Sequence, residues 1–195
     1  MKIEPVILKG EHVRLEPISM KHFDDLAKIA FDEELWKWTL GKVSNENDLK
    51  NYIIEAAEGN KNGDYLAFAT IDKKTNRAVG STRFGSFAPE YRRAEIGWTW
   101  IGRDFQRTPV NTEAKYLMLK HAFETWKCLR VYLQTDALNE RSQKAILRLG
   151  AVKEGVMRKD KIAYNERVRD SVMFSILDNE WAKVKANLEA KLSLG

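Results

Sequence analysis

Residues 98–114 read WTWIGRDFQRTPVNTEA. The run that leads into them, Arg93 to Ile101, predicts a strand. Ala94, Ile96, Trp98 and Trp100 would share one face, and Glu95, Gly97 and Thr99 the other. A short basic turn follows, and then a long helix from Pro109 to Trp126. Thr108 stands where an N-cap belongs. Pro109 suits the first helical position, where its missing N–H would have no partner anyway. The free amides that follow face outward at the positive end of the helix dipole, which favours an anion and phosphate in particular. Arg103 and Arg107 add charge beside them. Spacing alone also admits an ordinary capped helix with solvated arginines.

A second strand-to-helix junction follows. Arg130 to Thr135 predicts a strand, and Asn139 to Leu149 a helix closed by Gly150 as its C′ residue. Asn139 and Ser142 therefore lie near a second helix N-terminus, where Asn139 can simply be a cap. Upstream, His12 to Ile18 alternates as a strand. Ser19 offers an N-cap to a helix carrying Phe23, Leu26, Ala27 and Ala30, and Ser44 or Asn45 caps a second helix. Tyr65 to Ile71 is a near-continuous apolar run and reads as a buried strand, joined by a polar turn to Ala78–Phe84. Downstream come strands near Ala151–Lys159 and Val168–Leu177, then a helix capped by Asp178. The order β-α-α-β-β-β-α-β-α-β-β-α predicts a mixed α/β sheet with helices on both faces.

The 195 residues are 44 % hydrophobic and 10 % aromatic, enough for a packed core and too apolar for disorder as the main state. With no repeat, linker or low-complexity stretch, the expectation is one domain over 1–195, with a core of about 12–177 and a C-terminal helix of about 178–191. No run of about 18 apolar residues is present, which excludes a transmembrane helix. A charged N-terminus without an apolar signal region and a single cysteine, Cys128, predict a cytoplasmic protein. The net charge of +5 suits either nucleic acid or a polyanionic small ligand. No stacking-aromatic or Arg-rich readout motif is present, so neither nucleic acid nor membrane is expected as a partner. The three histidines show no metal-ligand spacing.

The two junctions, in this order and about 30 residues apart, resemble the GNAT superfamily of acetyl-CoA-dependent N-acetyltransferases. The resemblance is closest to the ribosomal-protein-alanine N-acetyltransferase branch. That branch opens with a segment like Val13-Arg14-Leu15-Glu16-Pro17. Its acyl-CoA motif, Gln/Arg-x-x-Gly-x-Gly/Ala, is matched in place by Gln106-Arg107-Thr108-Pro109-Val110-Asn111. Its next helix opens with Asn-x-x-Ser, here Asn139 to Ser142, and closes on a turn like Leu149-Gly150-Ala151. Both small residues of the phosphate loop are replaced, by Pro109 and Asn111. Proline removes one amide, which leaves those of Arg107, Thr108, Val110, Asn111 and Thr112 as donors.

The resemblance implies a mostly antiparallel central sheet and direct acetyl transfer from acetyl-CoA to a primary amine, without a metal. The strand holding Trp98, Trp100 and Ile101 would run beside the pantetheine arm. Gln106 and the loop amides would hold phosphate, and Asn139 the pantetheine. Glu95 is the implied general base and Ser142 the proton donor to the leaving thiolate, with Tyr132 and Tyr164 as weaker candidates. Arg141 and Lys144 would reach the cofactor's 3′-phosphate or form a solvated helix face. Trp36 and Trp38 would shape the acceptor mouth or pack in a core or dimer contact. A homodimer is implied by the same branch. The altered phosphate loop keeps a second class open, a catalytically idle acyl-CoA binder acting as a sensor or partner module.

Overall fold

The computed structural model describes residues 1–193, so the last two positions of the expected 1–195 unit lie outside the described residues. Eight strands make one sheet: β1 Leu8–Lys9, β2 Val13–Pro17, β3 Leu66–Asp72, β4 Arg77–Ala88, β5 Arg93–Ile101, β6 Arg130–Asp136, β7 Val152–Ile162 and β8 Val168–Leu177. Their spatial order is β1-β2-β3-β4-β5-β6-β8-β7. Every neighbouring pair is antiparallel except β5 with β6. The five helices are α1 Phe23–Ala30, α2 Glu46–Asn62, α3 Pro109–Lys120, α4 Glu140–Leu149 and α5 Trp181–Ser193.

The helices cover both faces, because β3 is apolar on both. Ala67, Ala69 and Ile71 pack under α1 and α2 with Leu26, Leu49 and Ile53. Phe68, Phe84, Ile96 and Phe174 pack on the opposite side with Met118, Ile146 and Val184 of α3, α4 and α5. The small β-side residues under α1 and α2 leave room for a cluster of Trp36, Tyr52 and Trp100 rings, whose centroids lie 5.3–6.3 Å apart. Asn45, rather than Ser44, caps α2: its side chain accepts from the Asp48 N–H at 3.0 Å. Gly63 closes α2 in the left-handed conformation, φ 79°.

Four local expectations need correction. The alternation of β5 breaks at Trp98, which adopts φ 51°. Ser81 pairs with Trp100 and Arg83 with Gly97, so β5 spends one residue more than β4 between those rungs. This β-bulge turns Trp100 to the face of Glu95 and Gly97, and Thr99 to the face of Ala94 and Ile96. The helix after Pro109 is α-helical only to Lys120. A wider π turn, His121–Thr125, follows it. Asp178 opens a single 3-10 turn, and α5 starts at Trp181. The short strand β1 has no alternation to betray it. Its turn into β2 is tied to α3 by Glu113, whose buried carboxylate accepts the backbone N–H groups of Glu11, His12 and Val13 at 2.7 Å each.

Candidate active site

β5 and β6 pair at only three rungs, the last of them Glu95 with Tyr132. Beyond that rung the two strands part, while β6 stays paired to β8 along its whole length. The parting opens a cleft of about 1000 Å³. Ile96 to Ile101 of β5 line one wall, and Leu133 to Thr135 of β6 the other. A parallel neighbour with free edge groups on both sides can accept an extended ligand as an added strand.

Two helix N-termini meet at one end of this cleft. Thr108 caps α3: its hydroxyl accepts from the Val110 N–H at 3.4 Å and donates to the Phe105 carbonyl at 2.7 Å. Arg107 precedes it at φ 63°, a left-handed turn that bends the chain around the helix entrance. Asn139 caps α4 by accepting the Ser142 N–H at 3.0 Å. Gln106, Arg107, Thr108, Asn111, Asn139 and Ser142 all line the cleft. Gln106 joins the two ends, donating to the Ile101 carbonyl at 3.0 Å and accepting from Arg141 at 2.8 Å. Among the described residues, the Asn111 side-chain oxygen is buried with no hydrogen-bond partner.

Some candidate residues are not at the cleft wall. Val110 is a core residue at 3 % exposure, and the Thr112 side chain does not line the cleft. Arg103 does not stand beside the loop as a free charge, because it forms a bidentate pair with Asp32 at 2.8–2.9 Å. Lys144 lines the cleft and pairs with Glu140 at 3.5 Å. Tyr132 and Tyr164 do not line it. Trp36, Trp38, Trp98 and Trp100 all do. Trp98 reaches across to Tyr65 at 5.6 Å and covers Gly85 so closely that a Cβ there would lie 2.8 Å from its ring.

Glu95 sits at the point where the strands part. It is 5 % exposed, so it is no surface carboxylate paired with Arg92 or Arg93. One carboxylate oxygen accepts from the Ser86 hydroxyl and the other from the Gln134 amide, each at 2.8 Å. Gln134 is held in turn by Lys161, which donates to its oxygen at 2.8 Å. Gln134 escaped the sequence reading because an amide in a strand carries no signal until its neighbour is known.

Lys115 also escaped it. It projects from α3, one turn after Asn111, and its amine donates to the Thr82 and Thr99 hydroxyls at 2.7 and 2.6 Å. Burial alone pushes that amine down to about 7. A charged residue between Ala114 and Tyr116 on a helix buried on two sides was the available sign. Among the described residues, no group of three or more His, Cys, Asp or Glu side chains stands together as a metal site would require, and no helix is long and apolar enough to cross a membrane.

Residues 12–152 match the family described as "Acetyltransferase (GNAT) domain". The Bacillus licheniformis protein named "Uncharacterized N-acetyltransferase p20" is 28 % identical over 180 residues, which covers 90 % of this chain and 98 % of that one. Among solved structures, a GCN5-related N-acetyltransferase from Brucella melitensis superposes with a TM-score of 0.90 at 29 % identity. That match covers 98 % of this chain and 87 % of that one. The ribosomal-protein-S5-alanine acetyltransferase from Vibrio fischeri shares the fold at a TM-score of 0.74 and 19 % identity, over 90 % of this chain and 98 % of that one.

Proposed function

From the premise that the chain belongs to the GNAT acetyltransferase family, we propose that it transfers an acetyl group from acetyl-CoA to a primary amine by direct attack. The observation that carries this reading is the coincidence of two features in one cleft. The strands part at a buried carboxylate, and two helix N-termini stand at the other end. Acetyl-CoA supplies an activated acyl thioester with anionic phosphates, and this cleft suits both ends of such a molecule. Arg107, Thr108 and Asn111 at α3, with Gln106, would hold phosphate. Asn139 and the edge of β5 from Trp98 to Ile101 would hold the pantetheine arm. The loss of one amide at Pro109 is offset by the arginine beside it and by the second helix end.

In this reading Glu95 takes the proton from the incoming amine, directly or through a water. Its two hydrogen-bond donors keep the carboxylate oriented toward the cleft. Ser142 gives a proton or hydrogen bond to the departing thiolate. Its hydroxyl makes no hydrogen bond among the described residues, so it is free to do so. Ser142→Ala should lower kcat by roughly ten- to a hundredfold and leave the acetyl-CoA Kd unchanged; steady-state and binding measurements check both. A homodimer, a cytoplasmic setting and one catalytic unit over 1–195 belong to the same proposal, with no role for nucleic acid or membrane.

The test has two steps. Acetyl-CoA at a hundredfold excess over Kd should raise Tm by roughly 5–10 °C. Thiol release with a panel of amines should then show acetyl-CoA-dependent turnover, with acetylated product seen by mass. No shift in Tm and no turnover would overturn the proposal. A shift without turnover of any amine would favour the idle acyl-CoA binder, the reading kept alive by Pro109 and Asn111 in the phosphate loop.

A further inference from the structure

Among the cations that line the cleft, two sets stand apart. Arg107, Arg141 and Lys144 stand at the helix end, where Arg107 is proposed to hold phosphate, Arg141 donates to Gln106 and Lys144 pairs with Glu140. Arg83 and Arg169 line the cleft on the far side of Glu95 with Lys161, which holds Gln134, and the transfer chemistry gives the two arginines nothing to do. The strand register shows how they are arranged. Arg83 and Glu95 share one sheet face, through the rungs Arg83–Gly97 and Gly85–Glu95. Gln134 shares it by its bond to Glu95. Arg169 shares it through Asp136–Ser171 and Gln134–Met173, and Lys161 is the cross-strand partner of Arg169. The proposed base is thus flanked by a cation on β4 and by a pair of cations on β8 and β7.

The two buried arginines have few direct partners. Arg169 is 6 % exposed, and its one hydrogen bond among the described residues runs from Nε to the Ser171 hydroxyl at 3.0 Å. No carboxylate among the described residues lies within 4.0 Å of it; the charges of Asp136, Asp160 and Glu95 act on it from farther away, Asp136 being paired with Arg167 and Asp160 standing 3.9 Å from Lys161. Arg83 is 1 % exposed and sandwiched between Tyr52 and Tyr65 at 4.6 and 5.2 Å. Among the described residues its buried Nε has no partner, and its single ion pair, at 3.1 Å, is with Glu55, a side chain that is 58 % exposed. An arginine cannot shed its proton to escape burial, so a buried guanidinium with free N–H groups calls for an anion. The planar fork of Arg169 matches a carboxylate.

Resting on the acetyl-transfer reading, we propose that the acceptor is an amine bearing a carboxylate, which docks on Arg169 with Lys161 beside it while the amine faces Glu95. A polyamine would place its other ammonium groups against Arg83, Arg169 and Lys161 and is disfavoured. A free amino acid and a peptide N-terminus that begins with Asp or Glu present the same chemistry.

The experiment measures kcat/KM for three arms with the purified protein and acetyl-CoA. These are free amino acids against their carboxamides, Asp- and Glu-initiated peptides against Asn- and Gln-initiated ones, and spermidine. The expected result is a preference for the carboxylate form of roughly tenfold to a hundredfold in one of the first two arms, with spermidine poorest. Which arm responds tells a free acid from a protein terminus. Arg169→Gln should collapse that preference through KM, and Arg169→Lys should restore part of it. Should Arg169→Gln fail to fold, the wild-type ratios still decide the matter. Equal or better turnover of neutral amines or spermidine overturns this inference alone. Absence of any acetyl transfer, with no Tm response to acetyl-CoA, overturns it together with the proposed function.

Discussion

Glu95→Gln should lower kcat/KM by on the order of 10²–10⁴-fold near neutral pH and leave acetyl-CoA binding intact. The substitution keeps the shape of the side chain and its place at the last β5–β6 rung. The glutamine oxygen can still accept from Gln134, and its amide can donate to Ser86, so the two 2.8 Å contacts find partners and stability should change by only about 1 kcal/mol. What disappears is the capacity to take a proton from the amine. The defect should be deepest below about pH 7, where most acceptor amines arrive protonated, and should shrink above about pH 8 as more arrive neutral. A pH profile of both proteins, with Tm and acetyl-CoA Kd as controls, checks this. Unchanged rates across that range would remove Glu95 from the mechanism and leave it as the pin that holds Ser86 and Gln134 at the parting of the strands.

The parts of the site that the sequence made legible are those built from local rules. Thr108-Pro109 and Asn139-x-x-Ser142 follow helix-capping chemistry, which operates within four residues, and both caps form where the pattern puts them. Gly150 ends α4 at φ 102° for the same reason. The alternation of β5 placed Glu95 on the opposite face from Ala94 and Ile96, and that part holds. It fails at Trp98, because a bulge is decided by the count of residues between rungs on two strands, and the nearer bounding rung joins Gly97 to Arg83, 14 residues earlier. The misplacement of Trp100 follows directly: it joins Trp36 and Tyr52 under α1 and α2.

Long-range polar contacts were out of reach for a related reason. Arg103 read as a phosphate ligand from its position in a basic turn, but its true partner, Asp32, is 71 residues away. Arg83 and Arg169 are charges inside strands. In a sequence they resemble edge or solvent positions, and only the assembled sheet reveals that both flank the carboxylate of Glu95. Burial of charge is a property of the whole fold, so a motif-based reading finds the carboxylate and misses what surrounds it.

The largest stability effect is expected from Lys115→Met. Lys115 lines the cleft, yet its amine is buried against two threonine hydroxyls with no carboxylate among the described residues to balance it. In the unfolded chain the amine takes up its proton below the ordinary value of 10.5. In the folded protein it does so only below about 7. Between these values the unfolded state binds more protons, so this group makes stability rise with pH, by up to about 1.4 kcal/mol per pH unit. Below about 7 its full penalty is present, on the order of several kcal/mol. Methionine keeps the unbranched stem and adds no charge. The two hydroxyls it leaves behind still bond each other at 2.9 Å, so neither is orphaned. The variant should therefore be the more stable protein at pH 7, with the gap closing as pH approaches 10. Urea unfolding of both proteins at pH 6, 8 and 10 reads the difference directly, since every other titrating group cancels in it. A gap that does not narrow with pH would mean that the amine stays charged in the folded state. A protein that carries such a cost without a compensating carboxylate has reason to keep the amine for what enters the cleft beside Thr99. Loss of acetyl-CoA affinity in the stabilised variant would locate that reason in the donor half of the site.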